Sequence, residues 1–255
     1  MNLYFETACA TQYKSRSQAV RVLSEKWVSE NVFCPCCGNS HISKLDNNLP
    51  VADMCCSNCG EIFELKSKQG KIGNKINDGA YATMIERINS VTNPELLILQ
   101  YANDYKVSDL VLIPKFFFVP SIIEKRKPLS QNARRAGWVG CNILYSKIPE
   151  QGKISIIKNG IFIDKKEVVD KYDRIKNIQT NNINSRGWIF DVLNCVNDIK
   201  ESIFTLKQMY GYVDVLKSMH MDNNNVEAKI RQQLQFLRDK GFIEFLGKGL
   251  YRKII

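Results

Sequence analysis

The chain has 255 residues, 44% of them hydrophobic and 24% charged, with a formal net charge of +10. It is long enough for one large domain or two ordinary ones, its composition is that of a globular protein, and it has no run of about 18 apolar residues to make a spanning helix. The positive balance favours an acidic partner, nucleic acid first and an anionic membrane face second.

The N-terminus "MNLYFETACATQYKS" has no basic region followed by an apolar core, so no signal peptide is expected and the protein is placed in the cytoplasm. In a reducing compartment, nine cysteines do not read as a disulfide framework. Cys34 and Cys37 form one Cys-x-x-Cys and Cys56 and Cys59 another, with 18 residues between them. That spacing suits a four-thiolate zinc site, in which two tight turns each supply two tetrahedral corners. Gly38 and Gly60 follow the second cysteine of each turn, where a positive φ is often needed. Cys36 and Cys55 blur the register, but only Cys34/Cys37 with Cys56/Cys59 makes both knuckles two-spaced. His41 is a second candidate ligand, against its plainer reading as an exposed loop residue. A fully thiolate Zn²⁺ site has no open position and is structural.

Asp53 ends the apolar stretch "LPVAD", and Glu64, Leu65 and Lys66 follow the second knuckle. On a strand Glu64 and Lys66 point to one face. If Asp53 lies on the neighbouring strand, two carboxylates converge beside a lysine, an arrangement that suits Mg²⁺. The carbonyl of Leu65 is a further candidate ligand. The competing reading is an edge strand with ordinary surface charges.

Further along, "NDGAYATMIERINS" predicts a helix capped by Asn77 or Asp78. "PELLILQYA" and "DLVLIP" predict buried strands, and "GKISIIKNGIFI" two strands around an Asn-Gly turn. Between Lys115 and Arg135, Lys115, Lys125, Arg126, Lys127, Arg134 and Arg135 are opposed only by Glu124. "ARRAGWVG" presents Arg134 and Arg135 as phosphate clamps with Trp138 reaching a groove; the alternative makes Trp138 a core residue at a strand start.

The polar stretch "NIQTNNINSRG", residues 177–187, reads as a seam between a domain over 1–182 and another over 183–255. Both parts are basic: 25 Lys/Arg against 18 Asp/Glu before it, 11 against 8 after it. After it come a helix with Ser185 as its cap, a helix opened by Thr205 and Gln208 in capping-box spacing, a third helix stopped by Gly241, and a hairpin around Gly-Lys-Gly. That is the winged helix-turn-helix order. Val226, Ile230, Leu234 and Leu237 share the inner face of the third helix. Ala228, Arg231, Gln232 and Gln235 lie opposite, with Lys229 beside them and Lys248 at the wing tip, residue types that read base edges and phosphates. An ordinary solvated helix face is the alternative.

A resemblance now enters. "PVAD" and "FELKSK" resemble the active-site strand pair of the PD-(D/E)xK nuclease superfamily. More narrowly, the chain resembles the DpnI-like methyl-directed restriction endonucleases. The carriers are "YKSRSQ", the knuckles flanking "NNLPVAD", "FELKSK", "INDGAYATM", "RKPL", "ARRAGWVGCNI", "NSRGW", and "KIRQQLQFLRDKGFIEF" to "GLYRK". They span nearly the whole chain; the extra cysteines Cys36 and Cys55 depart from the pattern. The resemblance implies an α/β (α+β) nuclease core with an embedded zinc site and a C-terminal winged helix. It places the catalytic residues on Asp53, Glu64 and Lys66. It also implies a type II, Mg²⁺-dependent enzyme, expected to be a monomer, that makes a blunt cut in double-stranded DNA carrying N6-methyladenine in GATC. A non-enzymatic zinc and winged-helix regulator is the competing function. A histidine–metal nuclease is disfavoured, because His41 and His220 are the only histidines and lie far apart.

Overall fold

The computed structural model describes residues 2–45, 52–90, 93–176 and 182–254. Leu49–Val51 of the stretch before Asp53, and residues 177–181 of the expected seam, lie outside them. The chain divides into two compact units, one of residues 1–146 and 152–176, the other of 147–151 and 177–255.

The first unit is built on α1 (Arg16–Asn31), β1 (Ser43–Lys44), β2 (Met54–Cys55), β3 (Ile62–Gln69), β4 (Ile76–Ala80), α2 (Tyr81–Ile88), β5 (Glu95–Tyr101) and β6 (Val107–Ile113). It continues through β7 (Ile123–Lys125), β8 (Gly140–Ile143), β9 (Ile154–Lys158), β10 (Ile161–Phe162) and α3 (Lys165–Lys176). Seven strands form one mixed sheet in the order β1-β2-β3-β5-β6-β9-β10. Its centre, β5 and β6, is the pair of apolar runs expected from the sequence; Leu96 to Leu99 and Leu110 to Ile113 are buried. Burial of both faces is why these runs are continuously apolar instead of alternating. β3 pairs with β5 in parallel, Glu64 opposite Leu96 and Lys66 opposite Ile98, and with β2 in antiparallel. The Asn-Gly turn is present between β9 and β10, both Asn159 and Gly160 having positive φ. A smaller sheet, β4-β8-β7, completes the unit.

The expected cap at Asn77 or Asp78 is corrected. Both residues belong to β4, paired with Asn142 and Cys141 of β8. The helix begins at Tyr81, and Ala80, which has no side chain to cap with, stands at its N-cap. Pairing with β8 has claimed the segment that local preference assigned to a helix start.

One buried polar cluster ties the sheet to its surroundings. Glu95 is fully buried at the start of β5; it accepts bonds from the Tyr172 hydroxyl at 2.7 Å and the Lys115 backbone N–H at 2.7 Å. The Lys115 ammonium bonds Glu61 at 2.5 Å, beside the second cysteine knuckle. Lys115 is thereby removed from the basic surface to which the sequence assigned it.

The second unit contains α4 (Ile183–Asp198), β11 (Ile203–Thr205), α5 (Leu206–Tyr210), α6 (Val213–Met219), α7 (Val226–Asp239), β12 (Ile243–Gly247) and β13 (Leu250–Lys253). Its three-stranded sheet has the order β11-β13-β12, the helix-turn-helix and wing arrangement expected. Ser185 is not the cap of α4: Asn182 is, accepting the Ser185 N–H at 3.0 Å. Thr205 and Gln208 do form a capping box. The helix they open, expected to be continuous, breaks at Gly211 into α5 and α6. Glycine is a poor helix former, and the Tyr212 hydroxyl is drawn to Asp198 at 2.8 Å.

Burial pushes the Glu95 carboxyl from its ordinary 4.5 up to about 7. The folded protein therefore holds this proton more tightly than the unfolded chain. The stabilisation is complete below pH 4.5 and is lost as pH rises towards 7. Over that range the wild type should lose about 3 kcal/mol relative to Glu95→Gln. Urea unfolding of both proteins at pH 4.5 and pH 8 reads the difference.

Candidate active site and metal centre

The cysteine cluster forms first in the argument because it fixes the strands. The Sγ atoms of Cys34, Cys37, Cys56 and Cys59 all lie within 4.8 Å of one another. Cys34 is 3.7 Å from Cys59, and Cys37 is 3.7 Å from Cys56. Tetrahedral thiolates at a zinc–sulfur distance of about 2.3 Å stand about 3.8 Å apart, whereas a disulfide would bring the sulfurs to about 2.05 Å. The cluster is able to hold a metal ion, and its donors suggest structural zinc. Gly38 and Gly60 have φ of 73° and 74°, as the knuckle turns require.

Cys36 is buried beside Tyr172 and Glu95 and stands outside the four, as does Cys55 in β2. His41 is exposed and also outside it. The Cys34 thiol is lowered to about 5, chiefly by a hydrogen bond from Cys36 and then by backbone N–H groups, against the opposing effect of burial.

Asp53 stands at the mouth of the short β2–β3 hairpin. Its backbone N–H donates to the Phe63 carbonyl at 2.9 Å, and its carbonyl accepts from the Leu45 N–H at 2.9 Å. Its carboxylate accepts the Leu65 N–H at 2.8 Å, which turns the side chain onto β3. Arg21 of α1 reaches the other carboxylate oxygen at 3.5 Å. That arginine is held from behind by Glu25, which is buried and bound to Arg21 at 2.5 Å and to Lys44 at 2.8 Å.

Glu64 and Lys66 share one face of β3, as the strand period dictates, with the ammonium 2.6 Å from the Glu64 carboxylate. Burial raises the Glu64 proton affinity; Lys66 opposes this, while Asp78 and Asp53 add to it. Burial works against the Lys66 charge, yet Glu64 and Asp78 outweigh it and its pKa is raised. The structure thus brings Asp53, Glu64 and Lys66 together. Three carboxylates, those of Asp53, Glu64 and Asp78, face two cations, Lys66 and Arg21. An excess of negative charge on hard oxygen donors suits a divalent cation such as Mg²⁺.

Asp78 is the member of this group that sequence reading missed. It comes from β4, and its carboxylate lies 2.6 Å from Lys66, with its side chain only 4% exposed. A sequence offers no signal for it, because pairing between the smaller sheet and Lys66 is a long-range event. Arg21 and Glu25 were missed for the same reason.

The basic loop before β8 is closed by backbone bonds from Leu129 to Trp138 and from Gly137 to Leu129. Arg134 and Arg135 are exposed at its tip. Trp138 is half-buried, with the Arg135 guanidinium 5.6 Å over its ring. A Cβ at Gly140 would stand 2.8 Å from the edge of that ring, so only glycine leaves room for the indole there. In the second unit, Val226, Ile230, Leu234 and Leu237 of α7 are buried. Ala228, Arg231, Gln232 and Gln235 are exposed, Lys229 is half-buried and donates to Gln232 at 2.8 Å, and Lys248 is exposed at the wing. The Arg231 guanidinium is bonded to the Tyr210 hydroxyl and lies over its ring.

Metal content separates the cysteines. Cys56→Ser should lose the bound zinc and Cys36→Ser should retain one equivalent, read by elemental analysis of the purified proteins.

No described helix is long and apolar enough to cross a membrane. Residues 1–181 match the family model described as DpnI, Dam-replacing family, and residues 184–253 match that described as DpnI_C, Dam-replacing HTH domain. The first match alone covers more than half of the chain. Together they imply a restriction nuclease that binds DNA through a helix-turn-helix, and they support methyl direction of its cleavage. The chain belongs to the DpnI, Dam-replacing family.

Proposed function

We propose that the protein is a type II, methyl-directed endonuclease that hydrolyses both strands of DNA at adenine-methylated GATC and leaves blunt ends. The observation that carries the hydrolytic part is the convergence of Asp53, Glu64 and Lys66 on one hairpin. The GATC target and the blunt cut rest on the family and the resemblance. In this reading residues 1–182 cut, residues 183–255 contribute a second DNA-binding surface, and the enzyme works as a monomer in the cytoplasm.

The Asp53 and Glu64 carboxylates, with the Leu65 carbonyl, would hold Mg²⁺. Bound there, Mg²⁺ would neutralise the phosphate and make its water more acidic. Lys66, kept charged by two carboxylates, offsets the charge that develops on the phosphate and orients the attacking water. Arg21, aimed by Glu25, adds a guanidinium on the Asp53 side. Arg134 and Arg135 clamp the backbone, and Trp138 reaches the groove beside them. On α7, Arg231, Gln232 and Gln235 meet base edges, Ala228 lies against a methyl, and Lys229 and Lys248 hold phosphates. N6-methyladenine keeps one N6 proton and adds an apolar group in the major groove. Each good contact to such an edge discriminates by roughly 1–3 kcal/mol, so two methyls read by two surfaces multiply into a large preference.

Matched plasmids from methylating and non-methylating hosts provide the test. The pure protein in Mg²⁺ should cut only the methylated one; equal cutting of both defeats the specificity. Operator-like binding with no cleavage would favour a zinc and winged-helix regulator. Asp53→Ala should slow cleavage by on the order of 10³-fold, since a catalytic metal supplies several kcal/mol at the transition state. In a separate assay, Arg231→Ala should weaken binding of the methylated duplex by about 1–3 kcal/mol at fixed salt.

A further inference from the structure

We propose that Asp78 is the positioning residue of Lys66, the fixed counter-charge that keeps the ammonium aimed at the reacting phosphate once Glu64 is engaged elsewhere. The inference rests on the nuclease reading given above. Lys66 sits between two carboxylates, each 2.6 Å from its ammonium. They are not equivalent. Glu64 lies on the same strand and is the acid that a divalent cation would claim. A cation that takes Glu64 weakens its hold on the lysine. Asp78 belongs to the smaller β4-β8-β7 sheet, so its position is set independently of β3.

Its placement is built into the backbone. The pairing of β4 with β8 slips between Asp78 and Ala80, so Gly79 is the extra residue of a β-bulge. Bulges re-aim side chains and recur beside active sites. Here the Gly79 N–H donates to the Asp78 carboxylate at 2.7 Å, on the same oxygen that meets Lys66. The second oxygen, Oδ2, is buried and has no hydrogen-bond partner among the described residues. An unsatisfied buried carboxylate oxygen is costly to keep. Retaining it on a purely structural ion pair is hard to rationalise. It is explained if Asp78 serves to supply charge at a place where Lys66 must stay when its other partner leaves.

A lysine has four rotatable carbons. Released by Glu64 and lacking Asp78, its ammonium would swing away from the phosphate, and a misplacement of about 1 Å costs on the order of 10²-fold in rate. Asp78→Asn keeps the shape and an accepting oxygen but removes the charge.

The test uses the full-length protein and a methylated GATC duplex. Single-turnover cleavage is measured at saturating Mg²⁺, and duplex binding in Ca²⁺. Asp78→Asn should cleave on the order of 10²-fold more slowly than wild type, with duplex affinity and zinc content unchanged. Asp78→Glu, which restores the charge, should cleave at least about tenfold faster than Asp78→Asn. Wild-type cleavage by Asp78→Asn overturns the inference. So does a rate loss matched by an equal loss of duplex binding, or an Asp78→Glu protein no faster than Asp78→Asn, since either marks a structural role. If Asp78→Asn does not fold, Asp78→Glu alone decides: a rate within about tenfold of wild type supports positioning, and a slower rate overturns it. Should the wild type itself fail to cut in Mg²⁺, the nuclease reading fails and not this assignment alone.

Discussion

The convergence of four cysteine sulfurs on one point is the constraint on which the acidic site depends. β1 and β2 are two residues each, too short to be stable pairs by themselves. Cys34 and Cys37 follow α1, while Cys56 and Cys59 occupy the turn between β2 and β3. Joining them ties the end of a helix to the tip of a hairpin. Asp53 enters that hairpin and Glu64 leaves it, so the two acids inherit the rigidity of the cluster. Loop closure costs little more when the loop is long, which lets one small four-cysteine module, able to hold a metal ion, organise residues from three elements. Glu61, next to the second knuckle, extends the same tie through Lys115 to buried Glu95.

Charge balance then determines what the acids are suited to. Two cations among three carboxylates leave the neighbourhood short of positive charge, and partial burial makes that shortage expensive. A stable all-protein ion-pair network would close the balance; here Asp53 and Glu64 each meet one cation, and Lys66 is shared between Glu64 and Asp78. Such frustration is common where a site awaits a ligand. Glu25 differs in being flanked by two cations, Arg21 at 2.5 Å and Lys44 at 2.8 Å, the first of which it holds toward Asp53.

The second unit divides its work between two faces of one helix. The apolar stripe of α7 packs inward, which leaves the opposite face to project arginine and glutamine. Arg231 rests on Tyr210, which restricts a long and otherwise flexible side chain. With a basic loop on the first unit, the chain carries two surfaces suited to phosphate, consistent with its net charge of +10.

What could be read without a structure had a local origin. The Cys-x-x-Cys pairs are recognisable because a knuckle is a turn of four residues. The same holds for the capping box at Thr205 and Gln208 and the Asn-Gly turn, set by contacts within four residues, and for the stripe on α7 and the shared face of Glu64 and Lys66, set by backbone periods of 3.6 and two residues. By itself the sequence thus determined the four cysteines that cluster, the buried central strands and the order of the helix-turn-helix. It misassigned Asp78 and Ser185, because local propensity ranks Asp and Ser as helix caps whatever strand or neighbour competes for them. Only the tertiary structure brought Asp78 to Lys66, Arg21 to Asp53 and Lys115 to Glu95. Those contacts join residues far apart in the chain, through pairings between strands and packing of a helix on a sheet, and no short-range pattern encodes where a side chain meets a partner on a different element.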